Sequence, residues 1–249
     1  MTENKFVKYL SALDTERFGF RIAKTDFSDL KPEDAVNGFK ELGVKVILSR
    51  IDGKNIALIN KLEKLGFLVK DNQLTYTYDL NGLLPSIPEE KFQYSTREVL
   101  EKDIPQLVKF TEESFSGYGH YFADERLDSK KCIEIYKDWT YRSCTDKKVA
   151  DKVFVAESND KAIGFLSFKI FNKDGHRYAA GGLGSVAKEF RNKSIFRAIT
   201  IHGLKWGKET GLEWEEHNVL ASNYSVNRSF SRLGFGITAS YVTLHGWLD

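Results

Sequence analysis

Three glycines, Gly181, Gly182 and Gly184, interrupt a strand-like run from Tyr178 to Val186. Glycines inside a strand weaken pairing and leave the main chain bare, which suits a place where a ligand lies along the backbone. Val186 leads through Ala-Lys-Glu-Phe into Arg191-Asn192-Lys193-Ser194-Ile195-Phe196, and a helix is predicted from Ser194 to about Glu209. A helix start offers unpaired N–H groups and the positive end of the dipole, which together favour a phosphate. Arg191 and Lys193 add charge beside it. A plain strand–turn–helix with solvated basic residues has the same pattern, so this stretch alone decides nothing. A second candidate is Gly119-His120-Tyr121-Phe122-Ala123-Asp124, a glycine- and aromatic-rich loop before a helix. There His120 is the candidate base, and Asp124 either binds a hydroxyl or an amine or caps the helix.

These residues need a frame, and the periodicities supply one. Helices are predicted over Pro32–Leu42, Ile56–Leu65, Ser129–Ser143 and Tyr224–Leu233, from apolar residues recurring on one face. Another is expected from an N-cap at Thr96 through Phe110. Val44–Ser49, Leu74–Leu80, Tyr178–Val186, His217–Ser222 and Tyr241–Leu248 read as strands. Val153–Glu157 and Ala162–Ile170 flank Ser158-Asn159-Asp160-Lys161 as a hairpin. Glu215-Glu216 reads as a solvated pair before a strand, and His245 as a half-buried strand residue. Trp139 and Trp247 read first as core. Asn81-Gly82, Pro85 and Pro88 punctuate the chain, giving expected domains over 1–88 and 92–249. Leu65-Gly66-Phe67 precedes Thr75 by the interval at which Leu233-Gly234-Phe235 precedes Thr243. That echo suggests a duplicated unit with the first copy reduced.

Composition excludes several classes. Lys and Arg total 37 against 35 Asp and Glu, so no general nucleic-acid field is implied. No apolar run reaches the ~18 residues of a membrane span, and the start lacks the order of a secretory signal. Cys132 and Cys144 lie twelve apart in one segment, and the five histidines lack ligand spacing with them. A cytoplasmic, metal-free protein is the expectation.

With these motifs in order, the sequence resembles the GNAT superfamily of acyltransferases over about residues 92–249. Its acyl-CoA motif, a strand Val and then Arg/Gln-x-x-Gly-x-Gly/Ala opening a helix, is matched in spacing by Val186 and Arg191 to Phe196. Ser194 and Phe196 replace both glycines. Asn223-x-x-Val226-x-x-x-Phe230-x-x-x-Gly234-Phe235 is similar to a second motif, with Phe230 where many relatives have Tyr. The hairpin ending in Ala162-Ile-Gly164-Phe and the segment Thr96–Phe115 also resemble family elements. In detail the chain looks closest to the branch that acylates amino groups of dTDP-linked deoxysugars. Leu13-Asp-Thr-Glu-Arg-Phe-Gly19, Gly119–Asp124 with Tyr136-Lys-Asp-Trp139, and Thr243-Leu-His245-Gly-Trp247 carry that likeness.

The resemblance implies a mixed, twisted α/β sheet with helices on both faces, preceded by a shortened GNAT-like domain. It implies acyl-CoA as co-substrate and no metal. The acceptor would be a nucleotide-linked amino sugar of cell-surface polysaccharide synthesis, attacked directly in a ternary complex. Val186, Arg191, Asn192, Lys193, Ser194, Ile195, Phe196, Asn223 and Phe230 would hold the donor. The Val186 amide would meet the oxyanion, Asn223 would orient pantetheine or water, and His120 would be the base. His120, Tyr121, Asp124, Trp139, Tyr241 and His245 would hold the acceptor. Phe230 has no exchangeable proton, so Tyr224, Tyr241, His245, solvent or the substrate ammonium would protonate the leaving thiolate. No nucleic-acid or membrane partner is implied, and a homodimer is compatible with the sequence. Another amine acceptor and a non-catalytic acyl-CoA-binding module are the competing functions.

Overall fold

The computed structural model describes residues 5–86 and 94–248. The Met1-Thr-Glu-Asn start and Pro88-Glu-Glu-Lys91, and with them the expected domain limits at 88 and 92, lie outside the described residues. The chain divides into two compact units: Met1–Leu74 with Gly117–Cys132 and Ala239–Asp249, and Thr75–Ser116 with Ile133–Thr238. The architecture is mixed α/β, with a mixed sheet and helices on both faces.

In the first unit, α1 (Ala12–Phe18) is held at both ends by local chemistry. The Ser11 side chain accepts from the Asp14 N–H, and Gly19 closes the helix at φ 80°. β1 (Arg21–Lys24), α2 (Pro32–Glu41), β2 (Val44–Asp52), α3 (Ile56–Lys64) and the first half of β3 (Leu68–Asp79) follow. A four-residue helix, Gly119–Phe122, also lies in this unit, as does most of the last strand, Gly236–Trp247. The strand order is β1-β2-last strand-β3. β2 and the last strand are antiparallel, with Leu48 opposite His245 and Val46 opposite Trp247. Phe39, Ile47, Leu62, Phe67 and Leu244 are buried in one apolar cluster. Burial of each such side chain contributes roughly 1.5–3 kcal/mol.

The second unit contains β4 (Ser95–Glu98), α4 (Ile104–Phe115), most of α6 (Ser129–Thr145), β5 (Lys152–Ser158), β6 (Lys161–Lys173) and β7 (His176–Val186). α7 (Ile195–Glu209), β8 (Trp214–Leu220) and α8 (Tyr224–Leu233) complete it. The four-residue helix is α5 and the last strand β9 in chain order. Strand order here is β3-β8-β7-β6-β5-β4. The β5–β6 hairpin turns on Asn159 and Asp160, at φ 49° and 58°, the two positive values a tight hairpin turn requires.

Several elements depart from the sequence reading. Thr96 is not an N-cap: Ser95–Glu98 pairs antiparallel with β5, and the Thr96 hydroxyl bonds His202 Nδ1 at 2.9 Å. The helix starts at Ile104, with Pro105 in its first turn. β3, β8 and β9 begin at Leu68, Trp214 and Gly236, ahead of the expected Leu74, His217 and Tyr241. Their openings mix exposed apolar residues (Leu68, Val69, Ile237) with polar ones, so the local preference is weak and ladder pairing outweighs it. Gly66 and Gly234 both take left-handed φ, 86° and 90°, between a helix and a strand. The two echoed sequences therefore make the same junction.

Candidate functional site

In the second unit, β7 and β8 pair in parallel from Tyr178↔Trp214 to Gly181↔His217. Pairing stops there, although β7 runs on to Val186 and β8 to Leu220. Ala187 N donates to Ile163 O at 2.9 Å, so residues 163 and 187 form a hydrogen-bonded pair across β6 and β7. In an antiparallel ladder the next pair, Gly164↔Val186, is then not hydrogen-bonded. The Val186 N–H consequently turns from β6 toward the side where β8 has parted.

Arg191 braces the loop that follows. Its Nε donates to Val186 O at 3.2 Å, and Nη2 donates to Ser114 Oγ at 2.9 Å. Ser114 and Ser185 share a hydroxyl–hydroxyl bond of 2.6 Å. Asn192 and Ser194 take φ 63° and 62°, the left-handed region that glycine occupies freely. Ser194 thus keeps the backbone shape of the glycine it replaces. It is the N-cap of α7 and makes no side-chain capping bond, so no hydroxyl covers the first N–H groups, from Ile195 onward. Lys193 is exposed, its ammonium 5.1 Å from the Phe190 ring centroid. The Phe196 ring packs edge-on against Phe230 at 5.5 Å. An N-terminus left open in this way, flanked by Arg191 and Lys193, fits a diphosphate. Asn223 caps α8, its Oδ1 accepting from Val226 N at 3.4 Å. Phe230 is buried.

The first unit brings together residues more than a hundred positions apart. His245 Nδ1 meets Asp124 Oδ2 at 2.6 Å, and His245 Nε2 meets His120 Nδ1 at 2.9 Å. Trp247 Nε1 donates to the same Asp124 oxygen at 3.0 Å, and the Arg126 N–H donates to Oδ1 at 3.2 Å. Lys70 Nζ lies 3.7 Å from Oδ1. Burial alone would raise the Asp124 carboxyl, but the bonds from His245, Trp247 and Arg126 outweigh it and hold the group well below the carboxylate range. Burial lowers His245, against the pull of Asp124. His120 is lowered further, by burial and then by His245, Arg50 and Lys24.

These directions fix the tautomers. Ionised Asp124 accepts from Nδ1–H of His245, whose bare Nε2 accepts from Nδ1–H of His120. That leaves Nε2 of His120 as a lone pair, the state of a base. Tyr121 belongs to an adjoining network: its hydroxyl donates to buried Asp14 at 3.2 Å, and Asp14 also pairs with Lys24. Tyr241 lies opposite Asp52 in the β2–β9 register. Trp139 belongs to the second unit, on α6, and is 40% exposed. The tryptophan at Asp124 is Trp247.

Sequence reasoning missed Asp14, Lys24, Arg50, Lys70 and Trp247. The Ser11-x-x-Asp14 cap was a usable signal for the first, and the alternation of β9 places Trp247 on the face of His245. Glu215 was misread. It is fully buried on β8, not solvated, and its Oε1 bonds His217 Nε2 at 2.7 Å. Tyr224, named as a proton source, is 72% exposed. Burial pushes the Cys132 thiol up to about 12 and the Cys144 thiol up to about 11, so neither is an active nucleophile near neutrality. Among the described residues, no group of three His, Cys, Asp or Glu could hold a metal, and no helix is long and apolar enough to cross a membrane.

The histidine pair makes stability depend on pH. The unfolded chain protonates each imidazole near pH 6.5, while the folded pair stays neutral to lower pH. Below about 6.5 the unfolded state binds more protons, so stability falls as pH falls. The unfolding free energy from denaturant titration, and the midpoint with it, is expected to drop between about pH 7.5 and 5.5, the free energy by at most about 1.4 kcal/mol per pH unit for each imidazole. His202, also lowered by burial, adds to the same slope. A flat midpoint across that window would contradict the neutral pair.

The model of the acetyltransferase (GNAT) family matches residues 106–235. Among solved structures, a GCN5-related N-acetyltransferase from Sphaerobacter thermophilus aligns with TM-score 0.57 at 16% identity, over 87% of this chain and 65% of that one. The chain thus spans just under two thirds of that protein. A tandem GNAT protein from the clavulanic acid biosynthesis pathway gives TM-score 0.61 at 13% identity, over 92% and 75%. The GCN5-related glucosamine N-acetyltransferase region of a fungal multi-domain β-N-acetylglucosaminidase gives 0.60 at 15%, over 95% and 30%. Likeness at these identities is a likeness of fold. No curated protein matches the sequence.

Proposed function

The chain belongs to the GNAT acetyltransferase family, and from that premise we propose that it moves an acyl group from coenzyme A to the amino group of a dTDP-linked amino-deoxysugar. The observation that carries the donor half is the parting of β7 and β8 at Gly181↔His217, together with the uncapped N-terminus of α7. The first leaves room for a pantetheine arm along bare backbone; the second receives the diphosphate.

The acceptor half rests on the Asp124–His245–His120 relay. His120 Nε2 takes the proton that the ammonium must lose before its nitrogen can attack. The nitrogen then bonds to the thioester carbon, charge gathers on the carbonyl oxygen, and the C–S bond breaks; the Val186 N–H, turned toward the parted β8, is left to the pantetheine arm. Arg50 and Lys24 act on His120 as positive charges, which favours an acceptor carrying phosphates over a polyamine. Amino-sugar acetylation is the stated activity of the fungal region on this fold. The reduced N-terminal GNAT-like domain, a cytoplasmic setting and a role in cell-surface polysaccharide synthesis belong to the same reading.

Free thiol released from acetyl-CoA, measured against a panel of dTDP- and UDP-linked 3-amino and 4-amino sugars, tests this. Turnover with a dTDP-amino sugar is the expected result. Turnover only with a polyamine or a peptide N-terminus would overturn the acceptor. Calorimetry showing no affinity for any CoA thioester would overturn the donor as well.

A further inference from the structure

We propose that the buried Glu215–His217 pair is the acid that returns a proton to the departing coenzyme A thiolate. The inference rests on the donor half of the function above and adds a residue that neither the family likeness nor the sequence motifs point to. Aminolysis of a thioester expels a thiolate, and Phe230, where many relatives carry a phenol, has no proton to give. The imidazole beside it has one.

Position comes first. His217 is the last β8 residue paired with β7, so it stands at the point where the two strands part. Beyond it, the stretch of β7 that β8 leaves, from Gly182 to Val186, spans about 13 Å at about 3.3 Å per residue. A pantetheine arm entering from the α7 end therefore brings its sulfur toward this fork. The imidazole is there because Gly181 has no side chain: a Cβ at 181 would lie 1.9 Å from His217 Nδ1. Nδ1 thus lies against the bare Gly181 backbone, at the last pair before the strands part, and Nε2 faces Glu215.

The surroundings come second. Glu215 and His217 are 0% and 4% exposed. The ring of His217 is packed by Phe230 at 4.5 Å, Phe235 at 5.6 Å and Phe168 at 5.9 Å. Glu215 Oε2 is buried with no hydrogen-bond partner among the described residues. Burial raises the Glu215 carboxyl, against the bond from His217, so it holds its proton to higher pH than a solvated carboxyl does. As packing this is a poor arrangement, because an orphaned buried oxygen carries a desolvation cost that an apolar pair would avoid. Holding a transferable proton in a dry site gives the arrangement a purpose.

The step balances. As the nitrogen–carbon bond forms and the C–S bond breaks, the sulfur leaves with the electron pair. His217 gives its Nδ1 proton to sulfur, and the Glu215 proton passes to Nε2. The products are a thiol, a Glu215 carboxylate and a neutral imidazole protonated at Nε2. Water restores the lost proton once the thiol has left.

The test uses the full chain with acetyl-CoA and hydroxylamine, a small neutral nucleophile that makes the assay independent of the natural acceptor. His217→Gln and the isosteric Glu215→Gln should each lower kcat about 10²-fold, the low end for a positioned acid. Acetyl-CoA affinity by calorimetry and the thermal midpoint of Glu215→Gln guard against misfolding. Adding Phe230→Tyr to His217→Gln should recover at least about tenfold, since a phenol there again offers a proton at the fork. Wild-type turnover in Glu215→Gln and His217→Gln, or a loss that Phe230→Tyr does not recover, would overturn the proposal while leaving the family reading intact. A wild-type chain that binds no acetyl-CoA would overturn both.

Discussion

Asp124→Asn is expected to lower acyl transfer by on the order of 10²–10⁴-fold, the range of a positioned base, with acetyl-CoA affinity held within about twofold. The argument is one of proton direction. Asp124 is buried and has no donor of its own, so both oxygens accept: one from His245 and Trp247, the other from the Arg126 N–H beside the Lys70 ammonium. An asparagine must turn its NH₂ toward one of those sides. Facing Lys70 sets amide hydrogens against a cation, so the NH₂ faces His245 instead and Trp247 loses its acceptor.

His245 Nδ1 must then accept, which moves its proton to Nε2. Nδ1 of His120 must accept in turn, and the proton arrives on Nε2, where the lone pair had been. Every heavy atom stays in place and the base is blocked. Nitrogen-15 shifts of the two imidazoles would record the switched tautomers directly, which a merely loosened site would not produce. His120→Ala removes the same base outright and should cost at least about tenfold. If Asp124→Asn turned over at the wild-type rate, the relay would have no part in the reaction.

How much of this could be read from the sequence depended on distance along the chain. The loop from Val186 to Phe196 and the helix from Asn223 to Phe235 were legible, because their chemistry lies in spacing within a dozen residues. His120, Asp124 and His245 were each flagged for their type and setting. Their hydrogen bonds were not, since they join residues more than a hundred positions apart and no local pattern encodes them. Glu215 failed for a different reason. Two adjacent acids look solvated, yet the alternation from Trp214 to Leu220 puts Glu215, His217 and Val219 on one face, and Val219 is apolar. A strand begun two residues earlier would have placed the glutamate inside. The openings of β3 and β9, where exposed Leu68, Val69 and Ile237 stand beside polar residues, hid those strands too, because pairing partners, not their own side chains, define where they start.

The second large effect concerns the loop that departs most from the family pattern. Ser194 holds φ 62° without using its hydroxyl as a cap, so backbone conformation, not the side chain, is what the position supplies. Ser194→Gly removes roughly 1–2 kcal/mol of left-handed strain and adds about 0.5–1 kcal/mol of chain entropy to the unfolded state. Stability should therefore rise by no more than about 1.5 kcal/mol, with acetyl-CoA affinity unchanged. Ser194→Ala, also an L residue and also uncapped, should match wild type. Ser194→Val should not. A β-branched side chain at positive φ is a severe outlier, and the turn must rearrange to relieve it. The first N–H groups of α7 then lose their common aim at the diphosphate. Affinity for acetyl-CoA should fall at least about tenfold, while the circular dichroism spectrum stays that of the folded chain. The alanine control separates this cause from loss of the hydroxyl. Wild-type binding by the valine variant would mean that the helix start does not grip the donor, whatever its spacing shares with the family.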